Sequence, residues 1–250
     1  MIRKAVIPAA GYGTRFLPAA KAQPKEMLPV VDTPTIQFVV EEAVDAGITD
    51  ILIIIGKGKR AIEEHFDRNF ELEAELEAKG KKTELDAIRR ISQMADVHFV
   101  WQKELRGLGD AVRCARHHVN GEPFLLMLGD TLIQSRTSVA RRLMELFDHY
   151  SEPVVALERV DPAKVERYGV IDGTPITDNL YLIRGLVEKP RMADAPSNLA
   201  IASRYALEPR IFDYIERTTP GKNQEVQLTD AMQLMLQDVA MYGSVIDGHR

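Results

Sequence analysis

Two glycines one residue apart, an arginine two positions on and a lysine ten further along are the first residues able to do chemistry together. They lie in Ala9-Ala10-Gly11-Tyr12-Gly13-Thr14-Arg15 and, beyond it, Pro24-Lys25-Glu26-Met27-Leu28-Pro29. Gly11 and Gly13 allow a tight turn that brings backbone N–H groups close to a ligand. Arg15 and Lys25 add two cations, and this combination suits a polyphosphate. Neither common phosphate loop fits. A dinucleotide fingerprint needs a third small residue where Phe16 stands, and a Walker loop needs Gly-Lys-Ser/Thr after four spacers. Gly-x-Gly alone would be an ordinary turn; the whole stretch is more than that.

Other candidates are weaker in isolation. Asp130 follows Gly129 at the carboxyl end of an apolar run, where ligands of open α/β sheets bind; a lone aspartate there also serves as a turn or cap. Gln102 opens a loop through Gly107 that leads into a helix, a place where flat or anionic groups approach backbone. Glu188-Lys189-Pro190 reads as a solvated strand end, and Gly56-Lys57-Gly58-Lys59 as a strand-to-helix turn with solvated lysines. Cys114 is a packed small hydrophobe, and His117 and His118 sit solvated at a helix end.

The elements that must position these residues can be read in order. Ala5-Val6-Ile7-Pro8 is a buried strand entering the glycine turn. Thr33-Pro34 predicts an N-cap and first helical position, with Ile36, Val39, Val40, Ala43 and Val44 at helical spacing and Gly47 as the stop. Asp50 to Ile55 is a continuous apolar strand, which completes a right-handed βαβ unit. Residues 59 to 94 form a charged, exposed helical excursion broken at Gly80. Strands follow at Val97–Trp101, Phe124–Leu128 and Val154–Val160, with helices at Asp110–His118 and Ser138–Tyr150. A shorter strand pair begins at Tyr168, and a helix spans Pro209–Arg217. Glu225-Val226-Gln227-Leu228-Thr229-Asp230 caps another helix, and Met241–Ile246 is the last strand. The fold class is α/β: a mixed, mostly parallel central sheet flanked by helices, Rossmann-like, with a smaller β-rich part after residue 160.

Bulk properties bound the function. The 250 residues can form one large domain burying roughly 70–75% of the unfolded surface. A net charge of −5 argues against a general nucleic-acid or anionic-membrane surface, so any anion site is local. No apolar run is long enough for a membrane span, and the N-terminus lacks a signal peptide's pattern. The single cysteine excludes an intrachain disulfide and fits a reducing cytoplasm. The six histidines form no metal-like cluster.

The opening stretch resembles the signature of the sugar-1-phosphate nucleotidylyltransferases, Gly-x-Gly-Thr-Arg followed by Pro-Lys. Ala9-Ala10, Pro18-Ala19-Ala20-Lys21-Ala22 and Pro24-Lys25-Glu26-Met27-Leu28 are similar to the bacterial UTP–glucose-1-phosphate uridylyltransferases within them. The segments Ile62-Glu63-Glu64-His65-Phe66-Asp67 and Phe70-Glu71-Leu72-Glu73 resemble that family's insertion. Further matches are Glu188-Lys189-Pro190 with Pro196-Ser197-Asn198-Leu199-Ala200-Ile201, and Gln227-Leu228-Thr229-Asp230. The resemblance covers essentially the whole chain as one nucleotidyltransferase domain, 1–250.

The resemblance implies UMP transfer from UTP to glucose 1-phosphate, giving UDP-glucose and pyrophosphate in the cytoplasm. It assigns catalysis to Arg15, Lys25 and Lys189. The nucleotide falls to Ala9, Ala10, Gly11, Gly13, Thr14, Glu26, Gln102 and Gly107, and the sugar phosphate to Gly169, Glu188, Lys189, Asn198 and Ile201. Asp130 matches the Mg²⁺ aspartate, although its usual acidic neighbour is Thr131 here. The Gly248-His249-Arg250 corner precedes, in the family, a segment with a second metal aspartate and subunit contacts. The expectation is thus a chain that binds UTP but turns over poorly, forming a homo-dimer or tetramer where that segment is present. Nucleic acid and membrane are not expected partners. Alternatives are a nucleotidylyltransferase for another nucleotide and sugar phosphate, or a non-catalytic regulatory relative; a retaining glycosyltransferase lacks its Asp-x-Asp.

Overall fold

Alternation along the strands sends apolar side chains to both faces of one sheet. A computed structural model describes residues 1–221 and 224–250. Strand β1 (Lys4–Pro8) places Val6 on one face and Ala5 and Ile7 on the other, all without solvent exposure. Helix α1 (Thr35–Asp45) packs Ile36, Val39, Val40 and Ala43 against the second face, as their spacing predicts. Strand β2 (Asp50–Ile55) then pairs parallel with β1, Lys4 opposite Asp50 and Pro8 opposite Ile54, completing the βαβ unit. Strand β3 (Asp96–Trp101) adds to β2 in parallel, and β4 (Phe124–Met127) to the other side of β1.

The second half of the chain adds β5 (Val154–Arg159), β6 (Gly169–Thr177), β7 (Leu180–Glu188), β8 (Leu199–Leu207) and β9 (Tyr242–Val245). Among the described residues the nine strands form one sheet in the order β3-β2-β1-β4-β8-β5-β9-β7-β6. Strand β8 runs antiparallel to both β4 and β5, and β7 antiparallel to β9 and β6, whereas β9 lies parallel to β5. The β-rich part expected after residue 160 is thus merged into the main sheet.

Helices α2 (Arg60–Phe66), α3 (Phe70–Ala78) and α4 (Lys82–Gln93) make up the charged excursion. Gly80 takes φ 66° between α3 and α4, the break that its position predicts. Helices α5 (Leu108–Arg113), α6 (Arg116–Val119) and α7 (Val139–Tyr150) follow, then α8 (Ile211–Arg217) and α9 (Leu228–Met235). Residues of α5, α6, α8 and α9 join the core on the Val6 face, and those of α1, α2 and α7 the core on the opposite face. Among the described residues no helix is long and apolar enough to cross a membrane.

Three local expectations are corrected. Thr33 is not an N-cap: Thr33 and Pro34 pair with Val30 and Pro29 in a short hairpin, and α1 starts one residue later with no side-chain cap. Its turn places Val31 at φ 63°, a conformation that β-branched residues rarely adopt. The helix expected over Asp110–His118 is two helices separated at Cys114–Ala115. His118 is not simply solvated, since its Nε2 meets Asp50 Oδ1 at 2.7 Å.

One charged residue of the excursion's three helices is not surface at all. Glu73 is 4% exposed, its carboxylate accepting from Arg68 Nε and Nη2 at 3.0 and 2.7 Å and from Arg89 Nε at 3.0 Å. These bonds, Arg68's first, hold the Glu73 carboxyl down to about 2. A carboxyl whose folded pKa is depressed stabilises the fold above its unfolded value, and that contribution disappears as pH falls through the folded one. Glu73→Gln is therefore expected to lower the thermal midpoint at pH 7. Its deficit should narrow as pH drops from about 4.3, the unfolded value, toward 2. A deficit constant across that range would show that Glu73 acts by shape rather than charge.

Candidate active site

Loops leaving the carboxyl ends of β1, β3 and β4 meet at one cleft, as expected for an open α/β sheet. Its first half, about 510 Å³, is lined by Ala9 to Arg15, Lys25, Glu26, Gln102, Gly107 and Asp130. Every residue assigned above to the nucleotide is therefore present in one place. Its second half, about 590 Å³, is lined among others by Gly169, Glu188, Lys189 and Ile201. Arg15, Leu108, Leu128, Glu188, Lys189, Glu225 and Gln227 border both halves, which makes the cleft continuous.

The turn after β1 owes its shape to Gly13, at φ 69°. A Cβ there would stand 3.1 Å from the Lys25 side chain, so glycine lets the loop close over that lysine. Lys25 Nζ contacts Asp130 Oδ2 and lies 3.8 Å from Glu26 Oε1. Burial pushes the Asp130 carboxyl up, but the Lys25 ammonium together with backbone and Thr131 hydrogen bonds outweighs it and leaves the group below its ordinary value. Glu26 is different: at 1% exposure, burial raises its pKa and Lys59 only partly offsets this. Lys59 corrects the reading of Gly56-Lys57-Gly58-Lys59 as a turn with solvated lysines. Lys57 is exposed, but Lys59 is buried and donates to Glu26 Oε2 at 2.7 Å.

At the far end of this half Gln102 is buried, its Nε2 donating to Asp110 Oδ2 at 2.9 Å and Gly107 O at 3.3 Å. With its nitrogen committed to two acceptors, the group it can offer a ligand is the acceptor Oε1. Gly107 has φ 98° and ψ 177°, a region essentially confined to glycine. A Cβ on it would stand 2.7 Å from Val226 O. The neighbouring backbone explains the closeness: Gly109 N donates to Val226 O at 2.9 Å, and Val226 N to Arg106 O at 2.7 Å.

In the second half Glu188 ends β7 and is gripped from both sides. Thr229 Oγ1, in the first turn of α9, donates to Oε2 at 2.7 Å, and Lys189 Nζ lies 2.8 Å from Oε1. Gly169 gives them room, since a Cβ there would sit 2.9 Å from Thr229 Oγ1. Lys189 itself leaves the strand at φ 47°, a backbone state that costs a non-glycine residue about 1–2 kcal/mol and collects at functional sites. Asn198 does not line the cleft; its Nδ2 donates to Val160 O at 3.1 Å.

Sequence reasoning missed four residues. Gln227 occupies the N-cap position of α9 without capping it, its Nε2 instead meeting Glu225 Oε2 at 2.7 Å, and with Thr229 it lines the cleft. The wording Gln227-Leu228-Thr229-Asp230 was the available signal. Arg250 stacks 3.8 Å from the Tyr168 ring centroid and donates to Ile201 O at 2.7 Å. Arg204, fully buried, donates from Nε and Nη2 to Glu42 Oε2 at 3.0 and 2.7 Å, and from Nη2 to Thr131 O at 2.9 Å. It thereby fixes the loop that carries Asp130. Nothing in its spacing distinguishes it from a strand residue.

The cations decide which cavity is the site. Another, of about 640 Å³, lies at the amino ends of β2 and β3 and is lined by Asp50, Glu63, Asp67 and Asp96. Its charge would repel phosphate, whereas Arg15, Lys25 and Lys189 face the carboxyl-end cleft.

A cleft of this construction on a mixed sheet is that of a nucleotide-handling transferase. The chain belongs to the nucleotidyl transferase family, whose model matches residues 4–249. It is 48% identical over 249 residues to UTP–glucose-1-phosphate uridylyltransferase of Bacillus subtilis, covering 100% of this chain and 85% of that protein. The same enzyme of Staphylococcus haemolyticus is also 48% identical, with 86% of its length covered. Among solved structures, a UDP-glucose pyrophosphorylase complexed with UDP-glucose superposes with a TM-score of 0.91 at 41% identity, covering 100% of this chain and 92% of that one. A UTP-bound UGPase from Acinetobacter baumannii gives 0.91 at 38% identity, with 100% and 87% covered.

Gly107→Ala tests the loop geometry without any ligand. Its cost in stability is expected to be about 1–3 kcal/mol, the usual strain of a non-glycine residue in this region. Urea unfolding measures it, and hydrogen exchange should quicken at the Gly109 and Val226 amides. An unchanged midpoint with unchanged exchange would mean that the loop is free to adopt another path.

Proposed function

We propose that this chain transfers UMP from UTP to glucose 1-phosphate, releasing pyrophosphate, within a single domain spanning 1–250. The observation that carries the reading is the continuous cleft, with Arg15 and Lys189 on the border between its two halves. Such a border is where an anionic acceptor must meet the α-phosphorus of the donor. The uridylyltransferase relatives and the neighbours titled with UTP and UDP-glucose support the choice of substrates.

The chemistry asks for positioning and charge stabilisation more than for covalent participation. A phosphate oxygen of the sugar forms a bond to the α-phosphorus as the bond from that phosphorus to the bridging oxygen breaks, and pyrophosphate leaves with the electron pair. The nucleophile is already an anion, so no side chain has to take a proton. Arg15 and Lys25 neutralise the triphosphate and the departing pyrophosphate, Lys189 orients the attacking phosphate, and Glu188 with Gly169 faces the sugar. Gln102 Oε1 as an acceptor suits a base with a ring N–H, as uracil has and cytosine lacks.

Mg²⁺ fits this donor set as a shared ion. Among the described residues no group of three or more His, Cys, Asp or Glu could hold a metal. Mg²⁺ is commonly bound through one or two carboxylates with phosphates and water completing its shell. Asp130 supplies one such carboxylate beside the phosphate cations. When bound, the ion would offset charge on the phosphate oxygens, and Lys25 would be free to turn from Asp130 to phosphate.

Pyrophosphate release from UTP, dTTP, CTP and GTP with glucose 1-phosphate tests the proposal, with UTP expected to lead. A preference for dTTP, CTP or GTP would overturn it. Arg15→Ala should lower kcat by ~10²–10³, the usual loss on removing one stabiliser of transition-state charge. Lys189→Ala should weaken glucose 1-phosphate by roughly 10–150-fold, one charge-assisted hydrogen bond, and leave UTP affinity unchanged in calorimetry. Collapse of UTP affinity instead would put Lys189 on the nucleotide side.

A further inference from the structure

The turn Gly56-Lys57-Gly58-Lys59 has no part in the reaction just described, yet its last residue is 4% exposed. A buried ammonium is costly unless a hydrogen-bonded partner offsets its lost hydration. That partner is Glu26, 1% exposed, whose Oε2 accepts from Lys59 Nζ at 2.7 Å. The other oxygen, Oε1, lies 3.8 Å from Lys25 Nζ, which contacts Asp130. Charge therefore alternates Lys59, Glu26, Lys25, Asp130 from the interior to the cleft. Glu26 borders the cleft beside Gly11, Gln102 and Gly107, while Lys59 stands behind it and borders none of it.

For stability alone such a pair has little advantage. Buried ion pairs replaced by packed apolar residues are often neutral or stabilising. A pair whose carboxylate opens onto a cleft does something an apolar pair cannot: it aims an oxygen. An ionised carboxylate is an acceptor only, so on a nucleoside it can meet ribose hydroxyls or a base N–H, and it reaches phosphate only through Lys25.

We infer that Lys59 is a positioning residue for nucleotide binding, holding Glu26 Oε2 so that Oε1 faces the nucleotide and Lys25. The inference rests on the nucleotide reading of the cleft. The first turn of the excursion thereby supplies, from outside the phosphate loop, the counter-charge that fixes that loop's carboxylate.

The test compares full-length variants by UTP titration calorimetry, by KM for glucose 1-phosphate and by thermal midpoint. Lys59→Met should weaken UTP by roughly tenfold or more, the scale of one charge-assisted hydrogen bond, with KM for glucose 1-phosphate within about twofold. Glu26→Gln should weaken UTP by a similar factor. Combining Lys59→Met with Glu26→Gln should add nothing further, as expected when one residue acts through the other. Lys59→Gln keeps a donor for Oε2 without the charge and should fall between wild type and Lys59→Met. It also carries the comparison if Lys59→Met, with Glu26 left unpaired, fails to fold. Wild-type UTP affinity in Lys59→Gln, and in Lys59→Met where that folds, with only the thermal midpoint lowered, would reduce Lys59 to a structural role and overturn the inference. Wild-type affinity in Glu26→Gln would overturn it by removing Glu26 from the nucleotide, while UTP turnover by the wild type would leave the proposed reaction standing.

Discussion

A guanidinium without solvent lies where helix α1, strand β8 and the loop after β4 meet. Arg204 has five N–H donors and must spend them inside the protein, on Glu42, on Thr131 O and on Ser203 O. Removing one partner from such a buried pair typically costs about 3–5 kcal/mol, because the remaining charge is stranded. The loop bearing Asp130 is consequently not free to choose its path. Leu128 N donates to Ser203 O at 3.1 Å and Gly129 N to Pro8 O at 3.3 Å, so the entry of the loop is tied to the strands on either side of β4. The β1 turn, Lys25 and Asp130 come together because this junction holds.

The rest of the cleft follows the same rule, that charge removed from water must find charge or hydrogen bonds. Lys25 meets Asp130, Lys59 meets Glu26, and Glu188 lies between Thr229 and Lys189. A chain with net charge −5 thus places Arg15, Lys25 and Lys189 together at the carboxyl ends of the strands and leaves acids at the opposite edge of the sheet. Two of the cleft's cations, Lys25 and Lys189, are thus already paired with carboxylates inside it.

Much of this was legible in order along the chain. The apolar run at 50–55, helical spacing at 36–44 and the glycine turn after a short strand gave the βαβ unit, because period and punctuation are local properties. The place of Asp130 at a strand end was legible for the same reason, but only the family resemblance set it apart from a turn or cap residue. What escaped is non-local. Thr33 looked like a cap, but a hairpin with Pro29 and Val30 took its backbone. Lys59 looked solvated because nothing near it in sequence shows that Glu26 lies over it. Arg204 sits in a strand where every residue is buried, and its partners are 162 and 73 positions away. The insertion of β8 between β4 and β5 is likewise decided by pairing across the chain.

That strand has a dimensional consequence. Arg204, the sixth of nine residues in β8, anchors the loop that carries Asp130, and Ile201, three residues back, lines the second half of the cleft. Backbone cannot stretch, so these two points stand no more than about 10 Å apart. The register break between Ile201 and Tyr205 shortens the span further. The fold therefore carries a caliper. The distance from the Asp130 loop to the second half of the cleft is thereby bounded by four residues of one strand.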